Sequence, residues 1–195
     1  PIAETLMFDT QDMRHPCGQC AFYNKSVWQP VEPGSVSALT RGFSRKDLDA
    51  EQVLFFQGDE NQGVFCISKG LIALRTHSAN GSSTFLKLAY PIGIRSFLSN
   101  ERHKTEAFAL LPSRVCIVTS RAANRVVDGN PSILTRLAGR CISELDDCHE
   151  RIIAASTMSN KQRLFDLLHR LMKAHGERIG DQMHMHLPLS RSDLA

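Results

Sequence analysis

The sequence predicts an α+β protein in which a jelly roll of short antiparallel strands precedes a long helix. Three observations carry this prediction. Short apolar runs alternate with turn residues from Val53 to Val118, the period becomes helical from Asn130 onward, and a second capped helix begins after Ser159. Several short strands spaced about 8–12 residues apart are typical of a β-sandwich or jelly roll.

Turn residues divide the strand region. Gln57-Gly58-Asp59 closes the first strand, Lys69-Gly70 is interpreted as a turn between two strands, and Asn80-Gly81 is a tight hairpin signal. Before this region, a short helix is expected over residues 35–46. The predicted strands are 53–56, 64–68, 71–75, 85–88, 107–111 and 115–118.

A single long helix is predicted from Pro131 to about Thr157. Asn130 can cap it, and Pro131 suits its first position. Apolar residues then recur at alternating steps of four and three, which is the heptad pattern of a helix that pairs with another helix. This pattern predicts a homodimer, and the alternative is that the stripe packs on the β domain. The seam consists of Leu134, Ala138, Cys141, Leu145, Cys148, Ile152 and Ala155.

The last part of the chain contains a second helical segment. Ser159 to Gln162 form a capping-box pattern, which predicts that a helix begins there and ends at Gly176. An alternating strand is expected over residues 183–187, and residues 190–193 open a further helix. The apolar face of the first of these helices contains Leu164, Leu167, Leu168, Leu171 and Met172.

Bulk composition fits a globular protein. Of the 195 residues, 42% are hydrophobic and 22% are charged, which excludes a disordered or fibrous class. The formal net charge of +3 is too small to indicate nucleic-acid binding by itself. The chain shows neither a run of about 18 apolar residues nor a signal peptide at its start, so a cytoplasmic location is expected. Six cysteines in such a chain are expected to be thiols or metal ligands.

Five segments in a specific order carry a resemblance to a known family. They are Leu54–Asp59, Val64–Ile72, Pro91–Gly93, Ser159–Leu164 and Leu187–Ala195. In this order they resemble the superfamily of the cyclic AMP receptor protein and FNR (CRP/FNR). The resemblance implies a cyclic-nucleotide-binding-like β-roll sensor domain at 34–129 after a cysteine-bearing segment at 1–33. It further implies a dimerisation helix at 130–158 and the incomplete start of a winged helix-turn-helix at 159–195.

The resemblance also implies a function. Regulators of this kind bind a palindromic promoter site as homodimers and act with RNA polymerase, typically as activators. Ser190 and Arg191 would begin the DNA-binding motif. The base-reading helix would follow after Ala195, so the 195 residues alone are not expected to read a DNA sequence.

The effector position differs from that of cyclic AMP receptors. Those proteins need a glutamate after the glycine of the phosphate turn, and an arginine-serine pair about ten residues later. Here Gly93 is followed by Ile94, and the later position has Lys104-Thr105-Glu106. Because Glu106 would repel a phosphate and the ribose partner is missing, cyclic AMP is not expected as the effector.

The cysteines favour the FNR-like branch, whose oxygen sensors hold an iron–sulfur cluster. Cys17, Cys20 and Cys116 match three of its ligands, and the fourth expected position holds Ser26. Thiolates suit such clusters because they are soft, charged donors, and a cubane cluster normally takes four. His15 or Cys66 are candidate substitutes. The alternatives are zinc binding, a redox dithiol, or a cluster-free regulator that senses nitric oxide or a small molecule in the β-roll.

Other candidate sites are weaker. Cys141 and Cys148 are interpreted as apolar packing on the seam or, after oxidation, as an intersubunit disulfide. His184 and His186 share one face of a predicted strand and form a candidate metal pair. A cupin-like metal enzyme is the alternative from a different class, but the strands from 53 to 118 lack its histidine and glutamate pattern. Because the sequence contains no catalytic motif, an enzyme is not expected.

Overall fold

The computed structural model describes residues 26–29, 33–81, 83–88 and 92–185. Its elements confirm the predicted α+β class. They are α1 (Pro33–Arg41), β1 (Phe43–Leu48), β2 (Val53–Phe55), β3 (Gly63–His77), β4 (Ser83–Leu88), α2 (Ile94–Ser99), β5 (Glu106–Thr119), α3 (Ser120–Gly129), α4 (Ser132–Thr157), α5 (Asn160–His175), β6 (Glu177–Ile179) and β7 (Gln182–His184).

The sensor region is an antiparallel sheet with strand order β1-β5-β3-β4, and β2 also pairs with β5. Its core lies along the face of the long strands β3 and β5 that points into the roll. β3 and β4 form the hairpin that Asn80-Gly81 predicts, and Gly81 has the positive φ of 83° that such a turn requires. The main core residues are Leu48, Leu54, Phe55, Phe65, Ile67, Ile72, Leu74, Ile92 and Val115.

The predicted turn at Lys69-Gly70 is wrong. Residues 63–77 form one strand, and the register with β5 shifts between Ile67 and Ile72. Gly70 lies at the centre of this irregularity with φ 87°, so the glycine marks a β-bulge rather than a chain reversal. Likewise, the two strands expected at 107–111 and 115–118 are one strand, β5.

The helix expected over residues 35–46 is only partly correct. α1 ends at Arg41, and Phe43–Leu48 is strand β1. Four of its six residues are exposed, so the strand has little of the alternation that would identify it. Helices α2 and α3 are not predicted by the sequence either. Their few apolar residues resemble the short apolar runs of the neighbouring strands and show no helical period of their own.

Asn130 joins α3 to α4. Its backbone N–H donates to the carbonyl of Val126 at 2.9 Å, which ends α3. Its side-chain Oδ1 accepts hydrogen bonds from the N–H of Ser132 at 3.1 Å and from the Ser132 hydroxyl at 2.6 Å, as the predicted cap requires. One buried residue therefore terminates one helix and starts the next.

The capping box that predicts α5 is present. The Ser159 Oγ accepts from the N–H of Gln162, and the Gln162 Oε1 accepts from the N–H of Ser159 at 2.9 Å. The helix ends at Gly176 as expected, and the strands β6 and β7 pair as a short hairpin. By internal contacts the chain divides into two units, residues 1–140 and residues 141–195.

Candidate functional site

Cys66 and Cys116 lie directly opposite each other in the antiparallel ladder between β3 and β5. Their neighbours Phe65 and Val115 belong to the core inside the roll, so the two cysteines project from the outer face of the sheet. Cys116 is 8% exposed, Cys66 is half-buried, and both are thiols rather than disulfide-bonded. The structure therefore places the predicted ligand Cys116 beside a cysteine that the FNR-like ligand set does not contain.

Arginines border this pair of thiols. Arg45 on β1 is paired with Cys116, and Arg114 lies two residues before Cys116 on the same strand. The Arg114 guanidinium donates to the carboxylate of Asp47 at 2.7 Å and holds the pKa of that carboxyl below its usual value. The surface beside the thiols is therefore basic, with one of the two guanidinium charges balanced by Asp47.

Ser26 stands where the FNR-like pattern would place a thiol, and its polar groups form hydrogen bonds within a local turn. Its Oγ accepts a hydrogen bond from the N–H of Trp28 at 3.2 Å, and its carbonyl accepts from the N–H of Gln29 at 3.4 Å. Val27 and Trp28 are buried behind this turn. Ser26 therefore positions a buried turn, and a hydroxyl is a poor donor for iron in a cluster.

The other predicted N-terminal ligands, Cys17, Cys20 and His15, lie outside the described residues. Within residues 26–29, 33–81, 83–88 and 92–185, no three His, Cys, Asp or Glu side chains lie close enough to hold a metal ion. Cys116 and Cys66 are paired across β3 and β5, so the described residues bring two of the candidate sulfur ligands to facing positions. Sequence alone could not have found this pair, because it depends on the register of two strands distant in the chain.

The effector region of the roll contains a buried carboxylate. Glu106 is 4% exposed; it forms a salt bridge with Arg75, and its Oε2 lies 3.2 Å from the Nε2 of His77. The Arg75 guanidinium also lies 4.3 Å from the centre of the Phe108 ring. Ile94, at the position of the missing ribose partner, is buried. The positive charge of Arg75 is therefore balanced within the chain by the carboxylate of Glu106.

His103 lies against a polar cavity of about 330 Å³ that Asp59, Glu60 and Arg102 help to line. The ring stacks on Phe55 with centroids 3.6 Å apart, and its Nδ1 lies 3.3 Å from the Oγ of a buried serine. Its Nε2 is buried and has no hydrogen-bond partner among the described residues. Burial lowers the pKa of His103, and the Asp59 carboxylate opposes that shift.

The predicted seam of α4 is exposed on the chain. Leu134, Leu145 and Ile152 are 46%, 54% and 67% exposed, while Ala138 and Cys141 are half-buried. Cys148 and Ala155 are exposed, and Ile142 and Ile153 broaden the stripe. On the other side of the first turns, Ile133 and Leu137 are buried. Large apolar side chains at this spacing, exposed to water, form a surface suited to a partner helix.

The predicted DNA-binding residues Ser190 and Arg191 lie outside the described residues, as does His186. His184 ends β7 and is exposed. In the described part of α5, Arg170 forms a salt bridge with Asp166 at 2.5 Å, and Phe165 is largely exposed. None of the described helices combines the length and apolarity that crossing a bilayer requires.

Comparison with known proteins identifies the sensor region. The family model for the cyclic nucleotide-binding domain matches residues 45–130. Over 152 residues, the chain is 24% identical to the anaerobic regulatory protein of Haemophilus influenzae, a match that covers 77% of this chain and 59% of that protein. The chain therefore spans less than two thirds of the length of that relative.

Two further comparisons cover more of the chain. It is 23% identical over 183 residues to a probable transcriptional activator of Rhizobium leguminosarum bv. viciae, which covers 92% of this chain and 75% of that protein. The solved structure of FixK2 from Bradyrhizobium japonicum superposes with a TM-score of 0.68 at 14% identity and covers 78% of this chain and 75% of that one. The chain therefore contains a cyclic nucleotide-binding domain at residues 45–130, and it is similar over most of its length to transcription regulators of the kind that the sequence resembles.

Proposed function

We propose that this chain is the sensor and dimerisation part of a DNA-binding transcription regulator. It would couple a redox, oxygen or nitric-oxide signal to binding of a palindromic promoter site as a homodimer, in concert with RNA polymerase. The exposed seam of α4 is the observation that supports the proposal, because it follows a sensor domain of the matching family. Relatives named as an anaerobic regulator and as a transcriptional activator support the same function.

A dimer would explain how a change in the sensor domain could alter DNA binding. Two copies that pair along Leu134 to Ala155 hold their C-terminal units at a fixed separation. Recognition helices of such dimers must reach successive major grooves about 34 Å apart. A change in the sensor that alters the pairing of the two α4 helices would alter that spacing. Ser190 and Arg191 remain the proposed start of the DNA-binding motif.

The dimer is tested by light scattering on the chain and two variants. Leu145→Asp places a charge in the middle of the seam and should convert the dimer to a monomer, since an unpaired charge would be buried in the interface. Ser143→Asp is the matched control. It carries the same charge on the opposite side of the helix, because successive residues turn by about 100°. A wild-type chain that scatters as a monomer would contradict the proposal.

The signal is tested separately with the natural gene product that contains these residues. A gel shift on an inverted-repeat promoter fragment is run without air, with air, and with a nitric-oxide donor. We expect the affinity to differ between these conditions. Equal binding in all three, together with a dimer, would favour the cluster-free alternative that responds to a small molecule in the β-roll.

We further propose that the effector is not cyclic AMP. An anionic phosphate next to Glu106 would be repelled, and Arg75 is already paired with that carboxylate. Ile94 offers no acceptor for a ribose hydroxyl. Titration calorimetry with cyclic AMP should therefore give no binding heat, and a micromolar affinity would contradict this proposal.

An iron–sulfur cluster is the cofactor that the FNR-like pattern implies. When bound, it would supply a group with which oxygen or nitric oxide reacts. Cys17, Cys20 and Cys116 are the proposed ligands, and Cys116 is a buried thiol on the face of the sheet opposite Phe65 and Val115. Of these proposed ligands, Cys116 is the one that lies among the described residues.

A further inference from the structure

We propose that the cavity beside His103 is a binding site for a small neutral carboxamide. The amide oxygen would accept a hydrogen bond from Nε2 of His103, and the NH2 group would donate to the carboxylate of Asp59. This inference deepens the alternative in which a small molecule acts on the β-roll, and it rests on that part of the proposed function. Neither Ile94 nor Lys104, which lie at the positions that differ from cyclic AMP receptors, lines this cavity.

The first argument is that the walls of the cavity are fixed by hydrogen bonds. The N–H of Gly58 donates to the His103 carbonyl at 2.8 Å, and the N–H of His103 donates to the Asp59 carbonyl at 2.9 Å. The Arg102 guanidinium donates to the Gly58 carbonyl and to the Glu60 carboxylate, both at 2.9 Å. Because these segments are already held together, a ligand would bind here with little loss of conformational entropy in the protein.

The second argument is the buried ring of His103. The side chain lines the cavity and is 3% exposed, and its Nε2 atom has no hydrogen-bond partner among residues 26–29, 33–81, 83–88 and 92–185. A buried polar group without a partner costs free energy, which a ligand that supplies the partner would recover. The ring therefore favours a ligand with a polar group.

The third argument is the position of the ring hydrogen. Burial lowers the pKa of His103, so the neutral ring is the relevant form. Its Nδ1 lies 3.3 Å from the Oγ of Ser96, and the Ser96 hydroxyl has no other hydrogen-bond partner in the described part of the chain. The hydroxyl hydrogen therefore points to Nδ1, which leaves the ring hydrogen on Nε2. Since Nε2 is then a donor, the ligand must offer an acceptor.

The fourth argument is the charge around the cavity. Two carboxylates, Asp59 and Glu60, and one guanidinium, Arg102, line it, so negative charge is in excess. Glu60 is engaged by Arg102. The Asp59 carboxylate accepts from the N–H of Phe56 at 2.8 Å and has no second side-chain hydrogen bond with the described residues. Asp59 can therefore accept a further hydrogen bond from a ligand.

These requirements together select an amide. A carboxylate accepts hydrogen bonds but would be repelled by Asp59 and Glu60, and an ammonium group cannot accept a hydrogen bond from the ring nitrogen. A carboxamide has an acceptor and two donor hydrogens and carries no net charge. The buried side chains of Leu54, Phe55 and Phe65 also line the cavity, which suits an amide that carries a small apolar group.

The test compares three probes that share one ring and differ in a single group: benzamide, benzoate and benzylamine. Their binding to the full chain is measured by titration calorimetry and by nitrogen-15 NMR of the histidine rings. We expect benzamide to shift the Nε2 resonance of His103 and to bind at least about tenfold more tightly than either charged probe. The unliganded chain should already carry the ring hydrogen on Nε2.

Two variants separate the contributions of the ring nitrogen and of the carboxylate. His103→Phe keeps a planar ring to stack on Phe55 but removes Nε2, so it should weaken benzamide binding at least about tenfold. Asp59→Asn keeps an oxygen for the N–H of Phe56 but removes the negative charge, so it should reduce the preference for benzamide over benzoate. Asp49→Asn changes an exposed carboxylate that does not line the cavity and should keep the wild-type preference.

The inference would be overturned by a wild type that does not bind benzamide at millimolar concentrations. It would also be overturned by equal benzamide affinity in the wild type and a folded His103→Phe variant, by a ring hydrogen on Nδ1, or by equal affinities for the three probes. Circular dichroism verifies that each variant is folded, and Asp59→Asn, at an exposed position, provides the comparison if His103→Phe does not fold. Light scattering tests the dimer separately, so a monomer that binds benzamide would contradict the dimer and leave this site standing.

Discussion

At the scale of single residues, His103 illustrates how burial changes the chemistry of an ordinary side chain. The ring is 3% exposed, stacks on Phe55, and leaves Nε2 without a hydrogen bond among the described residues. A charged imidazolium there would be poorly solvated, so its pKa falls below the ordinary value of 6.5. The sequence shows only a histidine without a partner at ligand spacing, because its stacking partner Phe55 comes from the distant strand β2.

This shift predicts how stability depends on pH. Between the lowered pKa of folded His103 and the ordinary 6.5 of the unfolded chain, the unfolded state binds more protons. The free energy of unfolding should therefore fall as pH decreases through 6.5, and His103 should contribute no slope above that window. We expect the Tm of the wild type, followed by circular dichroism from about pH 7.5 to about pH 5.5, to show this loss.

The variant His103→Gln should flatten that slope, whatever it does to the Tm itself. His149→Gln is the matched control, because His149 is exposed on α4 and should keep the wild-type slope. An unchanged slope in His103→Gln would show that other groups set the acid sensitivity.

At the scale of elements, the sequence predicts those helices and strands that depend on neighbouring residues, but not those that depend on pairing with a distant strand. The heptad period of α4 and the capping box of α5 depend on residues a few positions apart, and both elements appear where the sequence places them. The joining of two short runs into β3 depends on pairing with β5 through a bulge at Gly70. The dipeptide Lys-Gly occurs in the sequences of both turns and bulges, so only the pairing with the partner strand distinguishes the two.

The bulge predicts a large cost for one substitution. A Cβ at Gly70 would lie 2.6 Å from both the Pro112 carbonyl oxygen and the Ser113 Cα, so the backbone of β5 would have to move. Gly58 has a similar φ of 94° but nothing within 4 Å, so Gly58→Ala carries the conformational cost alone. We expect Gly58→Ala to lose about 1 kcal/mol and Gly70→Ala at least about 2 kcal/mol more.

Urea unfolding of the two glycine variants, followed by circular dichroism, measures both free energies on the same scale. Equal losses would mean that β5 accommodates the added methyl group. In that case the irregularity between Ile67 and Ile72 would be a soft part of the sheet.

At the scale of the whole molecule, the resemblance predicted the cyclic nucleotide-binding domain but not the pairing of Cys66 with Cys116. The resemblance follows from the order of segments along the chain, which can be read directly from the sequence. The cysteine pair follows from sheet register, which depends on the bulge and on the pairing of β1 with β5. Side chains that face each other across two strands are therefore invisible in the sequence until the strands are paired.

Pairing along the seam, if it forms the proposed dimer, predicts that stability depends on protein concentration. If unfolding is coupled to dissociation, the Tm should rise with protein concentration, because association stabilises the folded dimer by mass action. Ile152→Asp should remove this dependence, since Ile152 is 67% exposed on the single chain and lies on the seam. Differential scanning calorimetry over a hundredfold range of concentration measures the effect.

Ser143→Asp is again the control and should follow the wild-type concentration dependence. A Tm that is independent of concentration in the wild type would mean that α4 does not pair under these conditions, or that its pairing contributes nothing to stability.

Asn130 couples the direction of α4 to that of α3. The residue ties the last turn of α3 to the first turn of the 26-residue α4 through hydrogen bonds on both sides, so a tilt of α3 must be inherited by the helix that follows. A change in how α3 packs on the sheet would therefore redirect the first turns of α4, where Ile133 and Leu137 are buried.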